Sequence, residues 1–265
     1  MVVDTAHAPG RPDWRRPLRY AWRLPLLVVH VTLGLAIVML MINPLCRRLR
    51  VGGVGLDAHT IRAWSQGMVR LFGMRVRRVG TPLPGAALFV ANHVSWIDIT
   101  LLHSQRVVGF VAKAEIARWP LVGWLASRGG TIYHHRGDND SLHGVMHQML
   151  QRLQAGKAIG VFPEGRTNDG RGVGVFHARI FQPAVLAQVP AQPVALKYGV
   201  GGRAQTTVAF RPRENFLQNL WRLLGEPARR VEVHFLDPVV ADEDGRRRMA
   251  ALARERIQAA MAVGA

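Results

Sequence analysis

The longest apolar segment of this chain runs from Leu24 to Leu45 and contains no charged residue. It is about long enough to cross a bilayer as one helix. No small-residue cleavage site follows it, so it does not resemble a secretory signal. Arginines lie close to both of its ends, and this symmetry gives no orientation by the positive-inside rule. The segment predicts a membrane-inserted helix that spans the bilayer or dips in and returns; the alternative is a buried core helix.

A second helix is predicted just after this segment. Beyond a glycine-rich break, Asp57–Met74 places apolar side chains on one side, which favours either an interfacial helix or one packed on the core. We therefore predict a loose terminus over residues 1–18, a membrane-associated two-helix module over 19–74 and an α/β domain over 75–265.

From Arg75 onward, short apolar runs alternate with helical patterns. This alternation predicts an α/β fold with a largely parallel central sheet and helices on both faces. The predicted strands are 75–79, 86–92, 106–112, 130–134, 158–162, 192–198, 205–210 and 230–235. The predicted helices are 96–104, 114–127, 140–154, 177–188, 216–224 and 243–262.

The composition limits the partners and the chemistry. A net charge of +18 favours a polyanion, an anionic membrane surface or an acidic carrier protein. Nucleic acid is disfavoured as the partner, because the chain has a long apolar segment and lacks a nucleic-acid-binding motif. The only cysteine, Cys46, excludes an intrachain disulfide and a cysteine-based zinc site. His143 and His147 have helical metal-pair spacing, but without a clear third ligand we predict no metal site.

The strongest chemical signal is His93 followed five residues later by Asp98, at the end of an apolar strand. Residues five apart do not share a helix face, so the two can touch only if the chain bends between them. A helix beginning near Ser95, as its N-cap, supplies that bend. The pair then predicts a general base with its own carboxylate partner. The same spacing recurs from His135 to Asp140, but in a polar loop.

Charged side chains follow three other predicted strands. Glu164 and Arg166 lie in a Pro- and Gly-rich loop, where we expect them to be poised rather than buried. Arg136 and Lys113 follow two more strands; Lys113 either assists anion binding or is a solvated helix start. Because parallel strands end at one sheet edge, the sequence predicts a base beside guanidinium groups, suited to a nucleophilic substrate that carries an anion.

Four ordered motifs resemble those of the glycerolipid acyltransferases. They are Asn92–Asp98, Gly130–Arg136, Phe162–Gly165 and Val189–Val194, and the resemblance covers roughly residues 60–240. The most similar subgroup contains bacterial 1-acylglycerol-3-phosphate and lyso-ornithine lipid O-acyltransferases. The N-terminal two-helix membrane motif of the family agrees with the module predicted over residues 19–74.

The resemblance implies a mechanism. His93 would deprotonate the free hydroxyl of a lysolipid while Asp98 holds the imidazole, and the alkoxide would attack an acyl thioester. The co-substrate would be acyl-coenzyme A or acylated acyl carrier protein, with no bound cofactor. The acceptor would be 1-acylglycerol-3-phosphate, giving phosphatidic acid, or alternatively a lyso-ornithine lipid. A non-catalytic lipid-binding membrane protein is the alternative of another class.

The resemblance also assigns binding residues and a location. Arg136 and Arg166 would hold phosphate groups, and Glu164 with Gly165 would shape the acceptor site. The motif that usually continues Thr-Arg-Ser here reads Arg166-Thr167-Asn168, and residues 176–179 stand where many members have a Lys-x-Gly element. Together with Gln192 and Tyr198, these changes favour the lyso-ornithine type. The enzyme is expected in the inner (cytoplasmic) membrane, with its active site facing the cytoplasm.

Overall fold

The computed structural model describes residues 13–41, 46, 49–118, 123, 130–134, 139–241 and 245–262. The first helix, α1, spans Arg16–Met41, so it begins inside the segment predicted to be loose. Its most apolar stretch has a mean hydropathy of 1.5 and is only 17% buried, and it is long and apolar enough to span a membrane. The alternative of a buried core helix is therefore wrong. Residues 42–45 of the predicted segment lie outside the described residues.

The second predicted helix is present as α2, Leu56–Leu71, after a short hairpin of β1 (Arg50–Val51) and β2 (Val54–Gly55). The ring of His30 in α1 stacks on Trp64 in α2, with 5.4 Å between their centroids. The carboxyl end of α2 enters the hydrophobic core. The two helices thus form one unit that is packed on the α/β domain at this end.

Seven strands form the central sheet, in the order β3-β9-β8-β4-β7-β5-β6. They are β3 Met74–Val79, β4 Leu88–Ala91, β5 Gly109–Lys113, β6 Ile132–His134, β7 Ile159–Val161, β8 Ala191–Tyr198 and β9 Arg229–Phe235. Every neighbouring pair is parallel except β8 with β9, so the predicted, largely parallel sheet is confirmed. Because β4 lies between β7 and β8, the segments that follow these three strands meet at one edge.

Helices cover both faces of the sheet, as predicted. They are α3 Ile97–Gln105, α4 Asn139–Gln154, α5 Gln182–Leu186, α6 Gln205–Val208, α7 Phe216–Leu224 and α8 Gly245–Ala262. Side chains alternate across a strand, and β4 accordingly sends Phe89 into the core shared with α2, α3 and α7 and Leu88 into the core shared with α4, α5 and α8. We call these the α3 face and the α8 face.

Three predicted elements differ from the structure. The strand predicted over 205–210 is wrong, because these residues include the short helix α6. The Gln205 side chain accepts from the Tyr198 amide and donates to the Leu196 carbonyl, which turns the chain back onto β8 instead of extending it. The helix predicted over 114–127 begins as a 3-10 turn, Ala114–Arg118, and mostly lies outside the described residues. The helix predicted over 177–188 divides into the 3-10 turn Ala178–Phe181 and α5.

A buried ion pair holds α7 beside the loop after β4. The guanidinium of Arg222 contacts the Glu214 carboxylate at 2.7 and 2.8 Å, and neither side chain is more than 8% exposed. Asn219 also donates to Glu214, and its carbonyl oxygen accepts from the hydroxyl of Ser95. Hydrogen bonds from Arg222, followed by those from Asn219 and the Arg211 amide, lower the pKa of Glu214 from 4.5 to about 2, although burial opposes this.

The sign of this pKa shift predicts how stability depends on pH. A carboxylate whose pKa is lowered by folding stabilises the folded state. This stabilisation is fully present above the pKa of the group in the unfolded chain and is lost as pH falls through its pKa in the folded protein. We expect Glu214→Gln to lower the free energy of unfolding at pH 7 by on the order of 3 kcal/mol. The difference from wild type should shrink as pH falls from 4.5 toward 2, as measured by denaturant unfolding in detergent.

A matched control comes from an exposed ion pair. Asp169 lies 3.7 Å from Arg171, with 67% and 83% of the two side chains exposed. Asp169→Asn should change the free energy of unfolding by no more than about 0.5 kcal/mol. Equal losses in the two variants would contradict a special contribution from the buried pair.

Candidate active site

His93 and Asp98 are in contact at the carboxyl edge of the sheet. The chain leaves β4 at Ala91, bends, and enters α3 at Ile97, which places Asp98 in the first turn of that helix. His93 Nδ1 lies 2.8 Å from Asp98 Oδ2. A carboxylate can only accept, so this contact places the proton of the neutral imidazole on Nδ1. The bend required by the sequence spacing is therefore present.

The carboxylate of Asp98 is fully buried and organises the whole bend. Its Oδ2 also accepts from the amides of Val94, at 2.7 Å, and Ser95, at 2.9 Å. Its Oδ1 accepts from the hydroxyl of Tyr198, at the end of β8. Four donors therefore converge on one carboxylate, which offsets the cost of burying its charge.

Two details of this bend differ from, or extend, what the sequence indicates. Trp96 rather than Ser95 occupies the N-cap position of α3, because the Ser95 hydroxyl donates to Asn219 instead. The sequence does not identify Tyr198 as a site residue, since nothing in the pattern near the end of its strand indicates a contact with Asp98. Burial, followed by the charge and hydrogen bond of Asp98, raises the pKa of Tyr198 well above its ordinary value, so the phenol stays protonated as a donor.

Aromatic packing fixes the plane of the His93 ring. The ring stacks on Phe162 at a centroid distance of 3.9 Å, and Phe162 stacks in turn on Phe110. The His93 side chain is 15% exposed, and its Nε2 has no hydrogen-bond partner among the described residues. The imidazole thus has one nitrogen bound to Asp98 and the other available to a ligand.

Glu164 is buried, so the expectation that it would be poised in solvent is wrong. Its Oε1 accepts from the His93 amide at 2.9 Å. Its Oε2 accepts from the Asn168 side chain at 2.5 Å and the Gly174 amide at 2.8 Å. A Cβ at position 174 would lie 2.6 Å from this oxygen, which explains the glycine there. Asn168 adds a second link to His93, because its backbone amide donates to the His93 carbonyl.

The remaining predicted site residues lie more peripherally. Gly165 has a φ of +70°, a conformation that favours glycine, and Arg166 beside it is exposed. Lys113 is exposed at the end of β5, two strands from β4, or about 10 Å across the sheet. Arg136 lies outside the described residues, as does His135 of the second His–Asp spacing.

No group of three or more His, Cys, Asp or Glu side chains suited to a metal ion occurs in the described part of the chain. Of the two histidines with metal-pair spacing, His147 contacts the side chain of Gln151. The contact between His93 and Asp98 supports proton abstraction. An Asp-oriented imidazole can take a proton at Nε2 from a hydroxyl, and the buried carboxylate then stabilises the cation.

Comparisons with known proteins identify the family of the chain. The profile of the family described as Acyltransferase matches residues 75–197. The lyso-ornithine lipid O-acyltransferase of Pseudomonas aeruginosa is 34% identical over 200 residues, covering 76% of this chain and 77% of the relative. The 1-acyl-sn-glycerol-3-phosphate acyltransferase of Neisseria gonorrhoeae is 30% identical over 164 residues, covering 62% and 64%.

A solved structure has the same fold. The crystal structure of the 1-acyl-sn-glycerophosphate (LPA) acyltransferase PlsC from Thermotoga maritima aligns with a TM-score of 0.69 at 19% identity, over 92% of this chain and 95% of that one. At this identity the likeness concerns the fold alone. The profile match and the Pseudomonas aeruginosa relative, of which three-quarters is covered, lead to one conclusion: this chain belongs to the acyltransferase family that includes lyso-ornithine lipid and 1-acyl-sn-glycerol-3-phosphate acyltransferases.

Proposed function

We propose that the protein is a membrane-bound O-acyltransferase that moves a fatty acyl group from a thioester to the free hydroxyl of a lysolipid. The observation that carries the proposal is the open Nε2 of His93, with Nδ1 bound to the buried Asp98. A base of this kind needs a hydroxyl to act on. The adjacent serine, Ser95, is fully buried and donates to Asn219, so a substrate hydroxyl is the better candidate.

The reaction can be written with these residues. His93 Nε2 takes the hydroxyl proton as the substrate oxygen attacks the thioester carbon. The tetrahedral intermediate collapses with cleavage of the C–S bond, and the imidazolium returns the proton to the departing sulfur. Asp98 stabilises the imidazolium and keeps its orientation. The donor in this proposal is acyl-coenzyme A or acylated acyl carrier protein, and no bound cofactor is required.

The other motif residues take different roles in this proposal. Glu164 acts as a positioning residue, because both of its oxygens are engaged by donors of the chain itself. Gly165 gives the turn its shape beside the acceptor. Arg166, which is exposed, and Lys113 supply positive charge toward substrate phosphate or other anionic groups. Arg136 is proposed for the same task from its sequence position alone.

Two acceptors are candidates. The basic residues predicted around the site favour 1-acylglycerol-3-phosphate, whose product is phosphatidic acid. A lyso-ornithine lipid is favoured by relatives of that activity, since those from Pseudomonas aeruginosa and Brucella abortus are each 34% identical over more than 70% of this chain. Both acceptors present a free hydroxyl, so the chemistry at His93 is the same.

We propose that the α3 face of the protein rests on an anionic membrane and that the acceptor enters the site from that membrane. Leu217 and Trp221, one helical turn apart on α7, are 70% and 49% exposed. Trp221 stacks on Tyr20 of α1 with 4.5 Å between ring centroids, which makes the patch continuous with the exposed apolar side of α1. Exposed arginines at 211 and 213 adjoin the patch and suit anionic headgroups. In a bacterial cell the membrane would be the inner one, with the site facing the cytoplasm.

Acyl transfer by purified protein in detergent, with both thioester donors and both lysolipids, tests the proposed function. Wild type should acylate at least one acceptor, and His93→Ala should lower kcat/KM by about 10³-fold, since general base catalysis contributes on that order. His143→Ala, which removes an exposed histidine of α4, is the matched control and should keep full activity. No transfer to either acceptor would refute the function. An active His93→Ala enzyme would refute only the mechanism.

The membrane surface has its own test. We expect Leu217→Ser to lower the rate on a lysolipid embedded in anionic vesicles by about fivefold, because less apolar area enters the interface. The rate on a short-chain, monomeric lysolipid should not change. Val240→Ser is a matched control, since Val240 is 69% exposed but lies beside the α8-face core. Equal effects of the two serine variants on vesicles would contradict a specific patch.

A further inference from the structure

A cleft of about 380 Å³ opens at the carboxyl edge of the sheet, the edge that also carries His93, and is not used by the chemistry described so far. One wall is the loop of residues 170–173, which follows β7. The second wall is the turn that carries Gly201, Gly202 and Arg203, which follows β8. The third is the end of α8, at Gln258–Ala262. The cleft is therefore built from segments that follow the two strands flanking β4.

Both loops that form the cleft are tied to the catalytic pair. The loop after β7 is held by Asn168. Its backbone amide donates to the His93 carbonyl, and its side-chain oxygen accepts from the Gly170 amide. The turn after β8 begins directly after Tyr198, which donates to Asp98. The connections that leave β4 and β7 also run to opposite faces, through α3 and α5, and crevices at such points are where α/β sheets bind ligands.

The cleft lies on the side of the sheet away from the proposed membrane surface. Its third wall is α8, whose buried side chains belong to the α8-face core, whereas α1, α2 and α7 pack on the α3 face. A lipid acceptor that enters from α1 and α7 would reach His93 from one face. A water-soluble co-substrate would have to reach the same residue from the other face, where the cleft opens.

The chemistry of the cleft suits a phosphate. Arg171 and Arg203 line it and are both exposed, and Arg171 lies 3.7 Å from the carboxylate of Asp169, which is also exposed. The amides of Gly172 and Val173 donate to no acceptor within the described residues. Guanidinium groups and free backbone amides in a glycine-rich loop are the groups that bind phosphate oxygens.

We propose that this cleft binds the phosphate of the phosphopantetheine arm of the acyl donor. The inference rests on the proposed function, because it assigns the donor side of the same reaction. Phosphopantetheine is common to coenzyme A and acyl carrier protein, so one site serves either thioester. The arm then runs from the cleft toward His93, where the acyl carbon meets the hydroxyl of the lipid.

Steady-state kinetics on the full chain test the assignment. Arg171→Ala and Arg203→Ala should each raise the KM for the acyl donor by about fivefold, the loss of one charge-assisted contact at a partly exposed site, and leave kcat and the KM for the lysolipid within about twofold. Arg247→Ala removes one exposed arginine of α8 outside the cleft and controls for net charge. A rise in the lysolipid KM instead would assign the cleft to the acceptor headgroup and overturn the proposal.

A variant that narrows the cleft without removing charge is a second test of the donor site. A Cβ added to Gly172 would meet no atom within 4 Å, and its φ is not in the region restricted to glycine, so Gly172→Leu should fold normally and narrow the cleft. We expect it to raise the donor KM. Gly144→Leu, at an equally open position on α4, is the matched control. An unchanged donor KM in Gly172→Leu and both arginine variants would refute the donor site.

Binding separates failure of this inference from failure of the proposed function. Equilibrium dialysis of the wild-type protein against 4′-phosphopantetheine and against pantetheine needs no turnover. The phosphate should strengthen binding about fivefold or more, and Arg171→Ala with Arg203→Ala should remove the difference. This result would support the cleft even if no lysolipid were acylated. Comparing donor KM values for acyl-coenzyme A and acylated carrier protein then identifies which source of the arm the protein uses.

Discussion

The carboxylate of Asp98 is the interaction on which the rest of the site depends. It is fully buried and accepts from the imidazole of His93, two amides of the bend and the phenol of Tyr198. These donors come from the loop after β4 and from the end of β8, so one side chain fixes the relative position of two neighbouring strand ends. Without it the bend would leave unpaired amides in the protein interior, which is costly.

Two further networks extend this constraint outward. Glu164 and Asn168 bind the backbone of His93 on both sides, which attaches the loop after β7 to the catalytic bend. On the α3 face, Ser95 contacts Asn219, which joins the Glu214–Arg222 pair at the base of α7. The general base His93 is therefore held from the side of the proposed membrane surface and from the side of the cleft. This arrangement suits a reaction whose two substrates come from a lipid phase and from water.

The sequence predicts the parts of this account that depend on local pattern. The alternation of apolar runs and amphipathic stretches gives the α/β fold, and the five-residue spacing at a strand end gives the His93–Asp98 contact. The sequence does not predict Tyr198 as a partner of Asp98, because that contact requires β8 to lie beside β4. It places Glu164 in solvent for the same reason, since its partners at 168 and 174 become close only when the loop folds back. The residues at 206–208 are β-branched, which favours a strand, yet Gln205 binds β8 and a helical turn forms.

The central claim is that Asp98 presents the Nε2 of a neutral His93 to the substrate. Nitrogen-15 NMR of the histidine-labelled protein in detergent tests it directly, with His93→Ala used to assign the resonances. At a pH where His93 is neutral, the account predicts a proton on Nδ1 and none on Nε2. A neutral ring with its proton on Nε2 would contradict the account, because that tautomer could neither donate to Asp98 nor accept the hydroxyl proton.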